Sequence, residues 1–364
     1  LSALFEEWHR LARVVPWMQL GRWPSPLEAK VVRGREVLFK REDLSAEGYA
    51  GNKIRPLEMV FGAARDAGRS EIWATGAYGS NHALAAVVHA RRHGLFAGAV
   101  LWPQPWSQTA QDNLIATVSL ADEVRWARSI VSMPLIGGWV AATRNAWVMP
   151  PGAATPLGAL GHAGASIELG RQLAARPTRA QRKVDAIILP VGSTCTTAGL
   201  LVGTALAQSV GHFAEGLPQI VAVRVTPWPV TSARRIASLA ASTAEHVVGL
   251  FGRAGLTPPR FDRRAADFAA RLEVVGDELG PGYGEPTIAG WSALAELAHV
   301  GLRLDTTYSA KAAAHLLKRL LVRDARAGAQ LFWATKSAVP LPATDEARLD
   351  RVPARVQRWL RRKQ

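Results

Sequence analysis

Cysteine is almost absent from this chain: Cys195 is the single one in 364 residues. One thiol excludes an internal disulfide framework and fits a reducing, cytoplasmic setting. Long apolar runs are missing too. Nothing approaches the roughly 18 uninterrupted apolar residues of a membrane span, so no membrane partner is expected. Glu6, Glu7, His9 and Arg10 interrupt the first apolar run, which therefore does not read as a signal peptide. Acid is in short supply: 29 Asp and Glu against 44 Lys and Arg leave a formal charge of +15. Such an excess raises nucleic acid or an anionic surface as a partner. The arginines, however, are scattered over helical faces (Arg10, Arg13, Arg91, Arg92, Arg234, Arg235), without an aromatic-interleaved stripe or zinc-finger spacing. No nucleic-acid partner is expected. His89, His93, His162 and His212 show no metal-ligand spacing, and no metal is expected.

What is present is an ordinary globular composition, 48% hydrophobic and 20% charged, long enough for one large or two medium domains. Because the basic residues are mostly arginine, a lysine in a special place stands out. Lys53 follows a Gly51-Asn52 turn and opens a helix beginning Pro56-Leu57-Glu58, after an apolar run and a charged loop, Lys40 to Asp43. A helix N-terminus disfavours an ammonium, so the amine there is a candidate nucleophile with a lowered pKa. The helix is expected over 56–67, where Leu57, Val60, Phe61 and Ala64 recur at helical spacing.

From Glu71 onward strands and helices alternate. Strands are expected at 72–75, 97–102, 124–126, 146–149, 186–191 and 220–226. Helices are expected from the Gly79–His82 turn to His93, and over 109–117, 157–175 and 198–208; a hairpin is read at 31–40 with Gly34 at its turn. This rhythm predicts an α/β protein with two mostly parallel sheets flanked by helices. In open α/β sheets ligands bind beyond the carboxyl ends of the strands. Two turns qualify there. Gly192-Ser193-Thr194-Cys195-Thr196-Thr197 has glycine, hydroxyls and an immediate helix start, which suits a phosphate on backbone N–H groups or a plain Ser/Thr cap. It is neither a Walker loop nor a dinucleotide fingerprint. Gly79-Ser80-Asn81-His82 carries polar groups at another helix start and also reads as a cap.

Six stretches in order carry a resemblance: Lys40–Glu58 (KREDL to GNKIRPLE), Gly76–His82 (GAYGSNH), Pro156–His162 (PLGALGH), Val191–Leu200 (VGSTCTTAGL), Pro281–Pro286 (PGYGEP) and Leu304–Ala312 (LDTTYSAKA). Together they are similar to pyridoxal-phosphate enzymes of the tryptophan-synthase-β-like fold (fold type II). Within that fold they resemble the 1-aminocyclopropane-1-carboxylate deaminase and D-cysteine desulfhydrase family, over about Pro24 to Pro340. The resemblance implies pyridoxal 5'-phosphate as cofactor. It implies a large cofactor-binding domain of residues 1–52 and 166–340, a small domain of 53–165, and a basic tail over 341–364.

The implied roles are these. Lys53 holds the cofactor as a Schiff base and later acts on the substrate's Cα proton. Gly192, Ser193, Thr194, Cys195 and Thr196 bind the phosphate, and Asn81 meets the phenolic oxygen. Ser80, His82 and Tyr78 face the substrate, as does Asn81. Tyr283 and Tyr308 line the substrate side of the ring, and Ser309 falls where the pyridine nitrogen has its partner. The deaminases carry glutamate there and the desulfhydrases threonine, so serine leans towards β-elimination or β-replacement. The expected activity is a lyase or deaminase reaction on a small amino acid, D-cysteine desulfhydrase-like, giving a 2-oxo acid, ammonia and sulfide. The alternatives are β-replacement, racemisation or cyclopropane deamination, or a degenerate cofactor-binding relative. A homodimer is expected.

Three places depart from the family pattern. Tyr78-Gly79 replaces an Ile-Gln pair. Thr194-Cys195 replaces Ala-Gly in the phosphate loop, with Cys195 read as space-filling or as an exposed thiol. Ala334-Thr335-Lys336-Ser337 stands where His-Thr-Gly-Gly is usual, so Lys336 either puts a long cation into the cofactor's space or the segment has shifted. Trp102, Trp106 and Trp291 are candidates for the cleft wall. The tail from Glu346 reads as an amphipathic basic helix, kinked or split at Pro353, against the body or a second subunit.

Overall fold

A computed structural model describes residues 2–321 and 328–362. The chain opens with a short helix, α1 (Ala3–Glu7), and a hairpin, β1 (Leu27–Val32) with β2 (Arg35–Lys40), which starts at Leu27 rather than Val31. A first alternating series follows: α2 (Ile54–Asp66), β3 (Glu71–Ala77), α3 (Asn81–Arg92), β4 (Phe96–Trp102), α4 (Gln108–Leu120), β5 (Glu123–Trp126), α5 (Met133–Thr143) and β6 (Ala146–Met149). The second series begins with α6 (Pro156–Ala174), α7 (Arg179–Arg182), β7 (Val184–Val191), α8 (Cys195–Gln208), β8 (Gln219–Arg224) and α9 (Ala233–Arg253). It continues through α10 (Ala265–Ala270), β9 (Leu272–Val275), α11 (Ile288–Ala298), α12 (Ser309–Leu321) and β10 (Ala329–Trp333) to α13 (Ala354–Leu360).

The strands form two sheets. One runs β5-β4-β3-β6 and is parallel throughout; the other runs β1-β2-β10-β7-β8-β9 and is parallel except for the β1–β2 hairpin. The mixed α/β architecture with mostly parallel sheets is the one the alternation predicts. Central strand β7 buries Ala186, Ile187, Ile188 and Leu189 completely, because helices cover both faces of a parallel sheet. Strand β10, which local pattern did not single out, enters between β2 and β7 and sets Phe332 beside Phe39. Among the described residues no helix is long and apolar enough to cross a membrane.

The segment Lys40 to Asp43, read as a charged loop, is buried instead. Arg55 on α2 donates to Glu42 at 2.7 Å and to Glu168 on α6 at 2.9 Å, while Lys40 pairs with Glu168 and donates to Ser25 O at 2.7 Å. Burial alone would push the Glu168 carboxyl up, but Arg55 and Lys40 outweigh it and hold it down to about 2. This cluster clamps the hairpin, α2 and α6 to one another. Glu168 lies more than a hundred residues from both Arg55 and Lys40, so no local pattern reveals the cluster.

The tail is divided at Pro353, into a 3-10 turn (Glu346–Arg351) and α13; its residues 363 and 364 lie outside those described. It packs on its own chain. Val352, Val356 and Trp359 are buried in the core of the four-stranded sheet's helices. Arg348 donates to the carbonyls of Ser119 and Ala121 at the end of α4, at 2.8 and 2.7 Å. A cation on the last carbonyls of a helix satisfies orphan acceptors and opposes the dipole.

Candidate active site

A cavity of about 450 Å³ opens where the turns after β3 and β7 meet the start of α2. Lys53, the N-cap residue of α2, lines it together with Ser80, Asn81, His82, Tyr283 and Tyr308. The backbone holds the lysine there firmly. Gly51 has φ +109°, and a Cβ on it would lie 2.7 Å from Thr335 O, so both conformation and space require glycine. Asn52 donates its N–H to Thr335 O at 3.2 Å and its Nδ2 to Thr196 Oγ1 at 2.8 Å. The side chain of Lys53 is far less held: Nζ reaches Ser193 Oγ at 3.4 Å. Burial lowers its pKa, with a smaller opposing pull from Cys195. Desolvation is the cause of the lowering, where the sequence suggested the helix dipole.

The β7–α8 turn supplies the opposite end. The first-turn amides of α8 have no intrahelical partner. Thr194 enters the helix with φ +68° and ψ −21°, a left-handed conformation that is strained for a β-branched residue. Thr197 Oγ1 is buried against the cavity with no partner among the described residues. Thr231 Oγ1 fixes the turn from behind by donating to Gly192 O at 2.7 Å. Gly152, at φ +65°, closes the approach: a Cβ there would lie 2.1 Å from Ser193 Oγ and 3.4 Å from Lys53 Nζ.

The remaining wall carries hydroxyls and one imidazole. Ser80 caps α3, accepting from Ala83 N–H at 3.2 Å. His82 is buried with no partner on either ring nitrogen among the described residues, and burial, then Lys53, lowers its pKa to about 3. It is a neutral ring. Tyr283 and Tyr308 share a hydroxyl–hydroxyl bond of 2.5 Å. Burial raises both, Tyr283 to about 12 and Tyr308 well above its ordinary value, so both stay protonated. Lys311 on α12 anchors the loop that carries Tyr283, donating to Leu279 O at 2.7 Å and Gly282 O at 3.0 Å.

An amine without a strong partner, facing a helix start built for an anion, is the pattern of one cofactor class. Residues 18–331 match the family model described as pyridoxal-phosphate dependent enzyme. The chain belongs to that family. Its cofactor is pyridoxal 5'-phosphate and it is an enzyme of fold type II. Among its relatives, nocardicin C-9' epimerase of Nocardia uniformis subsp. tsuyamanensis is 32% identical, covering 83% of this chain and 86% of the relative. D-cysteine desulfhydrase of Salmonella paratyphi C is 28% identical over 85% of this chain and 89% of the relative. A crystal structure of an ACC deaminase homologue superposes with a TM-score of 0.67 at 23% identity, covering 92% of this chain and 95% of that one. The relatives thus include an epimerase as well as a desulfhydrase of the kind that the ordered motifs resemble.

The residues present fit pyridoxal phosphate. The orphaned Thr197 hydroxyl and the free amides of α8 suit its phosphate, and Gly152 leaves the room that a Cβ would fill. Of the residues expected at the site, Lys53, Ser80, Asn81, His82, Gly192, Ser193, Thr194, Thr196, Tyr283 and Tyr308 line the cavity. Three others do not. Tyr78 points into the core of its own lobe, with its ring edge-on to Trp126 and Trp359 at 5.7 and 5.2 Å. Cys195 is fully buried and donates to Ala153 O at 3.3 Å, and burial raises its thiol to about 11, so space-filling is its role. Ser309 lies behind Tyr308, where its hydroxyl accepts from Asp305 N at 2.7 Å and donates to Asp305 Oδ2 at 2.9 Å.

Lys336 does not occupy the cofactor's space. Thr335 lines the cavity, but Lys336 turns behind its wall towards Tyr49, Asn81 and Asn113. Trp102 lines the cavity; Trp106 and Trp291 do not. Residues that the sequence did not single out include Gly152 and Arg128, which also line it, as does Thr197 from the turn read as a phosphate site. The Pro150-Pro151-Gly152 turn was a visible signal for the first of them. Arg128 had none.

Proposed function

We propose that this enzyme removes the Cα proton of a small amino acid and expels a substituent from Cβ, in the manner of its D-cysteine desulfhydrase relatives. Pyridoxal phosphate supplies the electron sink for negative charge at Cα. Lys53 binds it and then takes up the Cα proton at Nζ, a task suited to an amine whose ammonium form is disfavoured by burial. Asn81 offers Nδ2 to the phenolic oxygen, Ser80 donates Oγ–H to the substrate carboxylate, and His82 packs beside it as a neutral ring. The amides of Ser193 to Thr197 hold the phosphate. Tyr308 and Tyr283 deliver a proton to the leaving group through their shared bond. The observation that carries this reading is the tyrosine pair, two hydroxyls kept protonated by burial in the same cavity as a lysine whose one contact is long. A homodimer is part of the proposal, since the family resemblance implies one.

Epimerisation is the second reading. The nocardicin epimerase relative favours it, and the cavity of about 450 Å³, lined in part by Trp102, Ile130 and Val230, is compatible with a substrate larger than cysteine. Incubation with D-cysteine, L-cysteine, β-chloroalanine, D-serine and 1-aminocyclopropane-1-carboxylate separates the two. Appearance of 2-oxo acid with ammonia, and of sulfide from cysteine, supports elimination. Deuterium incorporated from heavy water at Cα with inversion and no oxo acid supports epimerisation and overturns the first reading.

A further inference from the structure

Asn81 stands at the first position of α3 with its side chain in the cavity wall. Its Oδ1 is fully engaged on the side away from the cavity. Tyr49 Oη and Asn113 Nδ2 each donate to it at 2.8 Å, and Lys336 Nζ donates at 2.9 Å. Lys336 also donates to Tyr49 Oη at 2.9 Å and to Asn113 Oδ1 at 3.2 Å, and lies 5.3 Å from the centre of the Tyr49 ring. Asn113 completes the group by donating to the O of Gly79, the residue before Ser80, at 2.9 Å.

The chemistry of this cluster is decided by its cation. An ammonium has three donors and no lone pair, so every atom that meets Lys336 must be an acceptor. That fixes the Asn113 amide with Oδ1 towards Lys336, and it fixes the Asn81 amide with Oδ1 in the cluster. The Gly79 carbonyl, which only accepts, also turns Asn113 Nδ2 towards itself and towards Asn81 Oδ1, so the ammonium adds a further donor and a positive charge to an orientation the backbone already favours. With it, Asn81 Nδ2 is the end left for the cavity, and no acceptor among the described residues meets it. Three donors on one amide oxygen also polarise the amide and strengthen its N–H groups as donors.

We infer that Lys336 is a positioning residue which, through Asn81, locks the amide so that a polarised Nδ2 is offered to the phenolic oxygen of the cofactor. This rests on the proposed placing of that oxygen beside Asn81. The lysine sits where the family resemblance expects a glycine, and it builds from outside the cavity a preference that the cavity then reads.

The test compares binding of pyridoxal phosphate and of 3-deoxypyridoxal phosphate, which lacks the phenolic oxygen, to the cofactor-free full chain by tryptophan fluorescence. Lys336→Met weakens binding of pyridoxal phosphate by about tenfold, the value of a hydrogen bond to a charged group, and leaves the deoxy compound within about twofold. Lys336→Arg restores most of the preference. Should Lys336→Met fail to fold, Tyr49→Phe removes one donor from Asn81 and keeps the ring, and it lowers pyridoxal phosphate binding selectively by about threefold. Equal losses for both compounds would reduce Lys336 to a structural tie, and unchanged affinities would leave it no part at all; either overturns the inference. A wild-type protein that binds both compounds equally would instead sink the Asn81 assignment on which it rests.

Discussion

Two lysines, Lys40 and Lys53, differ in company. Lys40 is buried among Glu168, Ser25 O and Gln172 Oε1, each within hydrogen-bond reach of its ammonium. Lys53 lines the cavity with one long contact, to Ser193 Oγ at 3.4 Å. Burial lowers the pKa of both. For Lys40 the carboxylates pull back, and the amine is a structural cation. For Lys53 no carboxylate does, and the amine is ready to react. Burial alone therefore does not mark a reactive lysine; an ammonium left with a single long contact at a cavity does.

The sharpest way to break this contrast is to remove the two amines in turn. Lys53→Ala abolishes covalent attachment of the cofactor, read as loss of borohydride-trapped pyridoxyl-lysine by peptide mass spectrometry. Its unfolding free energy stays within about 0.5 kcal/mol of the parent, because no buried pair is broken. A trapped adduct at full yield on another lysine would end the Lys53 assignment. Lys40→Met does the reverse. It destabilises the chain by about 3–5 kcal/mol in urea unfolding, as expected when one partner of a buried pair is removed, and leaves lysine trapping intact once folded.

Acid probes the same cluster more gently. The Glu168 carboxyl is held below its unfolded value, so its contribution to stability is complete above about 4.5 and is lost as pH falls through about 2. Glu168→Gln should therefore flatten the fall of the melting temperature across that window, at the cost of a lower plateau near neutrality. A parallel pair of curves would remove Glu168 from the account. The smallest effect concerns the turn facing Lys53. Relieving the left-handed Thr194 with Thr194→Gly is expected to stabilise the fold by about 0.5–1 kcal/mol, measured by chemical denaturation. A loss of stability would mean that the threonine hydroxyl outweighs the strain.

Much of this arrangement is legible in the residues. The α2 pattern of Leu57, Val60, Phe61 and Ala64, the Ser80 cap and the apolar run of β7 are local signals, and local signals survive folding. What escapes is whatever depends on distant partners. Lys40 to Asp43 looks like a solvated loop until Glu168 is brought to it, and Lys336 looks like an obstruction until Tyr49, Asn81 and Asn113 are placed around its head. Strand β10 is inserted between strands from much earlier in the chain, an adjacency that hydrophobic periodicity cannot express. Tyr78 was misplaced for a related reason. It opens the turn after β3, and its ring is held by Trp126 and by Trp359 from the far end of the chain, which no local pattern shows.

That contact joins the final turns of the polypeptide to the turn bearing Ser80 and Asn81. Trp359 lies against Tyr78 and donates its indole N–H to Gln104 O, while the Gln104 side chain accepts from Gly79 N. The last helix thus braces a turn of the cavity wall from outside: α13 holds Gln104, and Gln104 holds the residue that precedes Ser80.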